Sequence, residues 1–194
     1  WGNELPPLFT DFSFDNLGTP KNPENPFYNM DTVFLEDGSP INPEGDAWID
    51  PGLGGFLATH PDPAWQAMAP ENMGKHKVPT LRNVDKRPNE QFPKAYLHNG
   101  VFTSLKELVH FYNTRDVASW PPPEVPDNVN TEELGDLGLN NTEEVAIVTF
   151  LATLSDGYLP TRDKILASAA PTRLEAFDLD RKQFVAGFNP GVGY

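Results

Sequence analysis

The four histidines are the side chains of this sequence most readily assigned a chemical role, and they stand at His60, His76, His98 and His110. No two of them lie four residues apart, the spacing at which a helix presents two imidazoles to one zinc ion. The chain also lacks cysteine, which excludes disulfides, thiolate metal sites and thioether-linked cofactors within its 194 residues. Histidine spacing therefore gives little support for a zinc-type metal site.

Other common catalytic motifs are absent from the sequence. It contains no G-x-S-x-G nucleophile elbow, no G-x-G-x-x-G and no P-loop. Asp and Glu number 28, so the chance proximity of two acids carries little weight for glycosidase chemistry. Hydrolytic and nucleotide-dependent functions are not favoured.

The most informative stretch, KHKVPTLRNVDKRPNEQFPKAYLHNGVFTSLKELVHFYNTRD, runs from Lys75 to Asp116. It combines basic side chains, a proline-rigid turn, His98 beside aromatic residues and Tyr112 on a predicted helix. A haem requires cations for its propionates, apolar walls for its faces and one or two donors for its iron. An ordinary loop–helix unit with solvated Lys and Arg is the alternative that residue chemistry leaves open.

Two helices are predicted to position these residues. The first begins after Ser104, which forms an S-x-x-E capping pattern with Glu107. Its apolar face has the spacing i, i+3, i+4, i+7 and consists of Leu105, Leu108, Val109 and Tyr112, with His110 off that face. The second runs from about Thr142 to Leu154, with Asn141 and Glu144 as its capping pattern. Its broad buried stripe is predicted to comprise Val145, Ile147, Val148, Phe150, Leu151 and Leu154.

The rest of the chain is predicted to be mainly ordered loop, since 21 of its residues are proline. Residues 1–61 are predicted to be irregular, and a short helix is predicted over Asp62–Ala69, with Asp62 as its cap and Pro63 at its first position. Weak helical signals occur near 162–168 and 172–186, and no strand alternation is evident. The predicted fold class is mostly α with long loops.

The formal net charge of −14 limits the partners. It argues against nucleic acid and against anionic membrane surfaces, which both require a basic footprint. It suits a basic partner such as a small cytochrome, or simple solubility. No apolar run approaches the ~18 residues of a membrane span. A local basic cluster nevertheless interrupts the acidic chain at Lys75, Lys77, Arg82, Lys86, Arg87 and Lys94.

Four blocks of the sequence, in order, resemble the carboxy-terminal haem domain of bacterial di-haem cytochrome c peroxidases and their MauG-type relatives. They are PLFTDFSFDNLGTP (7–20), KVPTLRNV (77–84), AYLHNGVFTSLKELVHFYN (95–113) and LGLNNTEEVAIVTFLATLSDGY (137–158). The resemblance implies a cytochrome-c-like domain over residues 1–158, followed by an extension over 159–194 that it does not cover.

In this family a C-x-x-C-H motif, which binds the second haem, shortly precedes the first block. The chain begins at Trp1 without that motif or a signal peptide, so we expect a processed product or a fragment. The fold would then be incomplete without an upstream haem-binding segment, on a separate chain or a removed piece. The alternative is a degenerate paralogue that never binds haem.

The resemblance places Tyr112 at the position of the distal axial ligand of that haem. Classical peroxidases have Met there, and MauG-type enzymes have Tyr, whose oxygen stabilises ferric and higher oxidation states. Met73 and His110 are reserve ligand candidates. Further cofactor-binding residues are implied by position: Arg82, assisted by Lys77, at a propionate or between the haems, His98 as a hydrogen-bonding group near the haem edge, and Phe9, Phe12, Pro79, Leu81 and Phe102 as packing residues.

The implied function is that of one part of a periplasmic di-haem oxidoreductase, with haem c as cofactor. The family's acid–base residues for peroxide cleavage lie in the amino-terminal domain, so this chain is not expected to be active alone. Its implied partners are a haem-bearing amino-terminal chain or segment and a small redox protein. Ca²⁺ is a further family cofactor, left unassigned because residues 85–94 look longer than the usual connection. A haem-free scaffold subunit and a calcium-stabilised structural protein are the alternatives.

Overall fold

The computed structural model describes residues 7–89 and 91–158, together with the strand residues 177–178 and 183–184. The described chain contributes to two compact units. The larger comprises Thr10–Pro79 and Pro93–Asp136, and the smaller comprises Trp1–Phe9, Thr80–Phe92 and Leu137–Tyr194. No helix among the described residues is long and apolar enough to cross a membrane.

Short elements joined by long loops make up the larger unit. Its helices are α1 (Gly52–Ala58), α2 (Pro63–Gln66) and α3 (Leu105–Thr114), with 3₁₀ turns at Pro26–Asn29, Gly45–Ala47 and Pro70–Asn72. Strands β1 (Phe14–Asp15) and β2 (His76–Lys77) pair antiparallel, with Phe14 opposite Lys77 and Asp15 opposite His76.

Three predictions for this unit can be compared directly with the structure. The Asp62 cap is confirmed, because its carboxylate accepts a hydrogen bond from the Ala64 amide at 2.9 Å and Pro63 opens α2. The irregular assignment of residues 1–61 is wrong at α1, a glycine-rich helix with weak periodicity. The sequence shows no strand alternation, and the β1–β2 ladder, with two residues in each strand, is too short to produce any.

Helix α3 lies at the core of the larger unit. Ser104 caps it by accepting the Glu107 amide hydrogen bond at 3.1 Å, as predicted. The predicted face is buried at Leu105, Leu108 and Val109, while Tyr112 is half-buried. Phe111 on the same helix is 0% exposed and Phe102 is 2% exposed. Their rings lie 4.9 Å apart, and the Trp120 ring packs edge-on against both.

Helix α4 (Asn141–Thr153) is the main element of the smaller unit. The predicted stripe is wrong at Ile147 and Phe150, which are 36% and 48% exposed, although Leu151 is buried. Apolar residues occur on several sides of this helix, and the described part of the unit does not cover all of them. Strands β3 (Phe177–Asp178) and β4 (Gln183–Phe184) pair antiparallel, so the helical prediction for 172–186 is wrong at these positions. The prediction for 162–168 lies outside the described residues.

The start of α4 is one residue earlier than predicted. Asn140 is the N-cap, and its side chain accepts from the Thr142 and Glu143 amides at 2.9 and 3.2 Å. Glu143 accepts the Asn140 amide at 2.9 Å, which completes a reciprocal capping box. The predicted pair, Asn141 and Glu144, was wrong because two asparagines in succession offer the same pattern in two registers.

Replacing Asn140 by alanine should lower the free energy of unfolding by about 1 kcal/mol, since the first turn of α4 loses its side-chain acceptor. Urea unfolding followed by circular dichroism measures this. Asn29→Ala, at an exposed asparagine outside α4, is the control and should change stability by less than about 0.5 kcal/mol. Equal effects of the two substitutions would contradict the capping role.

Candidate functional site

Loop segments and strand β2 bring together a polar cluster in the larger unit. We call Asp50, His76, His98 and Glu124 the histidine cluster. The pairing of β2 with β1 fixes the backbone at His76. A bridge between Tyr96 and Phe102 closes the loop that carries His98. The left-handed backbone of Gly100, with φ of 72°, allows that tight return.

The two imidazoles of the cluster are in direct contact. Their ring centroids lie 3.7 Å apart with an interplanar angle of 8°, so His76 and His98 stack face to face. One ligand atom each from Asp50, His76 and His98 can be chosen so that all three lie within 4.8 Å of one another. His76 Nε2 is buried and has no hydrogen-bond partner within the part of the chain that the structure describes.

Glu124 anchors the cluster from its buried side. Its carboxylate accepts hydrogen bonds from the Tyr28 hydroxyl at 2.9 Å and the Asn99 amide at 3.1 Å. His98 Nε2 lies 3.3 Å from the same carboxylate, whose side chain is only 1% exposed. Burial disfavours its charged form, but the hydrogen bonds from His98, Tyr28 and Asn99 outweigh this and lower the pKa of Glu124 to about 2.

The pKa values of two further groups near Glu124 are also shifted. Burial, followed by the hydrogen bond to Glu124, raises the pKa of the Tyr28 phenol well above its ordinary value. Burial also lowers the pKa of His76, and the neighbouring His98 adds to this effect, while Asp50 and Glu124 oppose it. The cluster is therefore an ionised carboxylate surrounded by hydrogen-bond donors, with a His76 imidazole that favours its neutral form.

Replacing Glu124 by glutamine should lower the free energy of unfolding at neutral pH by roughly 2 kcal/mol, because the donors lose a charged acceptor. The folded-state pKa of about 2 lies below the ordinary value of 4.5. The contribution of this carboxylate is therefore complete above pH 4.5 and declines as the pH falls towards 2. Urea unfolding of both proteins at neutral pH and about pH 3 tests this, since the stability difference should shrink at the lower pH.

Glu132→Gln is the control for the Glu124 substitution, because Glu132 is exposed and its stability contribution should be small. A difference between the wild type and Glu124→Gln that stays constant over this pH range would contradict the assigned charge of Glu124.

The predicted axial ligand, Tyr112, is half-buried on α3. Burial, with a smaller effect of the Asp15 charge, raises the pKa of its phenol to about 12. No hydrogen bond to its hydroxyl is formed by the described residues. The helix that carries it is held by the Ser104 cap and by the buried Leu105 and Phe111. Tyr112 thus offers an oxygen donor on a well-supported backbone.

The remaining predicted cofactor residues divide between the two units. In the larger, the Lys77 ammonium lies 5.0 Å from the centre of the Phe12 ring, and that phenylalanine is 58% exposed. His98 faces Glu124, Phe102 is enclosed by the aromatic core, and Pro79 is exposed.

In the smaller unit, Arg82 forms a long ion pair with Asp156 at 3.4 Å. Phe9 packs edge-on against Phe150 with ring centroids 6.0 Å apart, and Leu81 is half-buried. Asn83 joins this loop to the end of α4, because it donates to Asp156 at 3.0 Å and its amide donates to the Leu154 carbonyl.

The reserve ligands have other surroundings, both in the larger unit. Met73 packs its thioether against Gly54 of α1. His110 is exposed, 6.0 Å from the Trp120 ring. Neither lies in the histidine cluster.

Sequence reasoning missed Asp50 and Glu124 and did not pair His76 with His98. The four residues span 75 positions in loops and one short strand, and no local motif links them. The signal available was the position of His98 between aromatic residues of the Lys75–Asp116 stretch.

Comparison with known proteins finds similarity to MauG and to cytochrome-c peroxidases. It is 32% identical over 161 residues to methylamine utilization protein MauG of Paracoccus denitrificans (strain Pd 1222), covering 76% of this chain and 35% of that protein. Two cytochrome-c peroxidases of Denitromonas iodatirespirans, IdrP2 and IdrP1, are 29% and 28% identical over 77% of this chain. No protein-family model matches.

The chain spans about a third of the length of these curated relatives, at 34–35% of each. The homology supports the relationship to MauG and the cytochrome-c peroxidases that the four sequence blocks indicate. Oxidoreductase, peroxidase and cytochrome c are the classes to which the relatives belong.

Proposed function

We propose, from its homology to MauG and the cytochrome-c peroxidases, that this chain is part of a periplasmic di-haem oxidoreductase, in which it lines the second haem and supplies Tyr112 as axial ligand. Its cytochrome-c-like fold is part of the same proposal. The observation that carries it is the Tyr112 hydroxyl, an oxygen donor on α3 to which no described residue forms a hydrogen bond. The chain alone is not expected to be active.

Two features of Tyr112 bear on metal ligation. Burial raises the pKa of its phenol to about 12, so ligation would depend on a cationic metal centre that favours its deprotonation. A rigid helix keeps the donor in place, since caps and buried side chains fix the rotamers on which ligand geometry depends. The Ser104 cap and the buried Leu105 and Phe111 hold α3 in this way.

Phe12 and Lys77 supply an apolar face and a cation in the larger unit. Phe12 has a left-handed backbone, with φ of 65°, although it is a bulky residue that rarely adopts this conformation. Such strain occurs at functional sites where surrounding structure enforces it. The exposed ring is available to pack on a porphyrin, and the adjacent ammonium is available to a propionate.

Arg82 is the corresponding cation in the smaller unit. Its ion pair with Asp156 is long, and the two side chains are 34% and 56% exposed. An exposed pair of this kind contributes little to stability. Arg82 can therefore exchange Asp156 for a propionate, with which a guanidinium forms two parallel hydrogen bonds.

A c-type haem, when bound, supplies one-electron redox chemistry at its iron. The chain has no cysteine, so we propose attachment through a C-x-x-C-H outside it. Its net charge of −14 suits a basic small redox protein as electron partner. The group of residues that could hold a metal ion in the described part of the chain contains two histidines, a donor set that Ca²⁺ does not prefer, and we do not propose calcium.

A haem-free scaffold subunit is the second candidate, favoured by the lack of cysteine. The absorption spectrum of the native protein, purified with whatever chains accompany it, separates the two. The oxidoreductase proposal predicts a Soret band and a haem-bearing polypeptide by intact mass. Purified native protein that shows no Soret band would instead support the scaffold.

A further inference from the structure

We propose that Asp50, His76 and His98 form a binding site for a divalent transition-metal ion of the Zn²⁺ class, separate from any haem ligand. The three residues come from a loop before α1, from β2 and from the loop before α3. They are brought together entirely within the larger unit.

The donor set favours this class of ion. Two imidazoles and one carboxylate suit Zn²⁺ and its first-row neighbours, whereas Ca²⁺ and Mg²⁺ prefer oxygen donors alone. The ligand atoms lie within 4.8 Å of one another. Bonds of about 2.0–2.1 Å bring donors to within roughly 3.5 Å of each other, so the ligand atoms must approach one another by on the order of 1 Å on binding.

Outer hydrogen bonds already orient two of the ligands. A carboxylate accepts hydrogen bonds, so His98 Nε2, 3.3 Å from Glu124, is the donor nitrogen and Nδ1 is the nitrogen left for a metal. A carboxylate behind a histidine is the usual support of a metal-bound imidazole. Asp50 accepts the Gly52 amide at 2.9 Å through Oδ1, which fixes its carboxylate.

The third ligand carries the strongest observation. His76 Nε2 is buried without a hydrogen-bond partner among the described residues, and leaving a buried polar atom unsatisfied is destabilising. A bound cation would satisfy it. The stacked rings cannot both direct lone pairs at one ion as they lie, so one ring must turn about its side-chain torsions on binding.

Isothermal titration with Zn²⁺ tests the site, using the full chain with any accompanying chains after chelator treatment and dialysis. We expect one Zn²⁺ per chain with a Kd of about 1 µM or tighter. His76→Phe keeps an aromatic ring stacked against His98 but removes the donor nitrogens of residue 76. It should weaken Zn²⁺ binding by on the order of 100-fold. Asp50→Asn should also weaken Zn²⁺ binding, and it provides the test of the site if His76→Phe fails to fold.

His110→Phe is the matched control, because it makes the same change at an exposed histidine outside the cluster. It should leave the Zn²⁺ affinity unchanged. Thermal unfolding gives a second readout: Zn²⁺ should raise the Tm of the wild type and of the control, but not of His76→Phe. Equal affinity in the wild type and both cluster variants, or the absence of stoichiometric binding to the wild type, would overturn the site.

Discussion

Replacing Arg115 by methionine should lower the free energy of unfolding by about 3 kcal/mol, because several partly buried acceptors lose one shared, buried donor. The Arg115 side chain is 5% exposed. Its guanidinium forms a bidentate pair with Asp116 at 2.7 and 2.8 Å. It also donates to the carbonyls of Leu17 at 2.9 Å and Asn130 at 2.7 Å. One side chain thus joins three segments of the larger unit.

Gly18 confirms how closely these segments pack around Arg115. A Cβ at Gly18, whose φ is 68°, would lie 3.0 Å from Arg115 Cδ. Urea unfolding measures the effect of Arg115→Met, and Arg87→Met is the control at an arginine exposed on the surface. We expect the control to cost less than about 1 kcal/mol. Comparable losses in both variants would mean that Arg115 does not hold the segments together.

Replacing Phe111 by alanine should cost about 3–5 kcal/mol, since it leaves a cavity at the centre of the larger unit. The ring is 0% exposed and contacts Phe102 and Trp120, with centroids 4.9 and 5.3 Å away. Edge-to-face packing adds to the loss of buried area. The midpoint of thermal unfolding and the urea free energy should both fall.

Phe150→Ala, on α4, is the control for the aromatic core, because its ring is 48% exposed. It removes the same atoms and should cost about 1 kcal/mol or less, in proportion to the smaller buried area. If Phe150→Ala destabilises the protein as much as Phe111→Ala, the core has been assigned to the wrong residues.

Local rules predicted the helices whose signals are contained in a few residues. The Ser104 cap and the apolar spacing after it located α3, and Asp62-Pro63 located α2. The one-residue error at Asn140 arose where adjacent asparagines offered equivalent caps. Capping chemistry specifies a helix end closely only when a single residue can perform it.

The histidine cluster could not be predicted in the same way. His76 and His98 stand 22 positions apart, and Glu124 follows 26 positions later. Their contact depends on how loops return across the larger unit, through bonds such as that of Asn99 to the Pro20 carbonyl at 2.7 Å. Contacts of this kind have no periodic signature. The exposure of Phe150 was missed because a hydrophobic pattern predicts which side chains prefer burial. It does not show whether another part of the protein packs against them.

Tyr112 is the residue whose role most directly decides the proposed function. Resonance Raman spectroscopy of the ferric, haem-bearing native protein should show tyrosinate modes enhanced through a phenolate-to-iron charge-transfer band. Tyr112→Phe should abolish these modes, while Tyr158→Phe, at a half-buried tyrosine outside α3, should retain them. Tyrosinate modes that persist in Tyr112→Phe, or a wild-type spectrum without them, would contradict ligation of the iron by Tyr112.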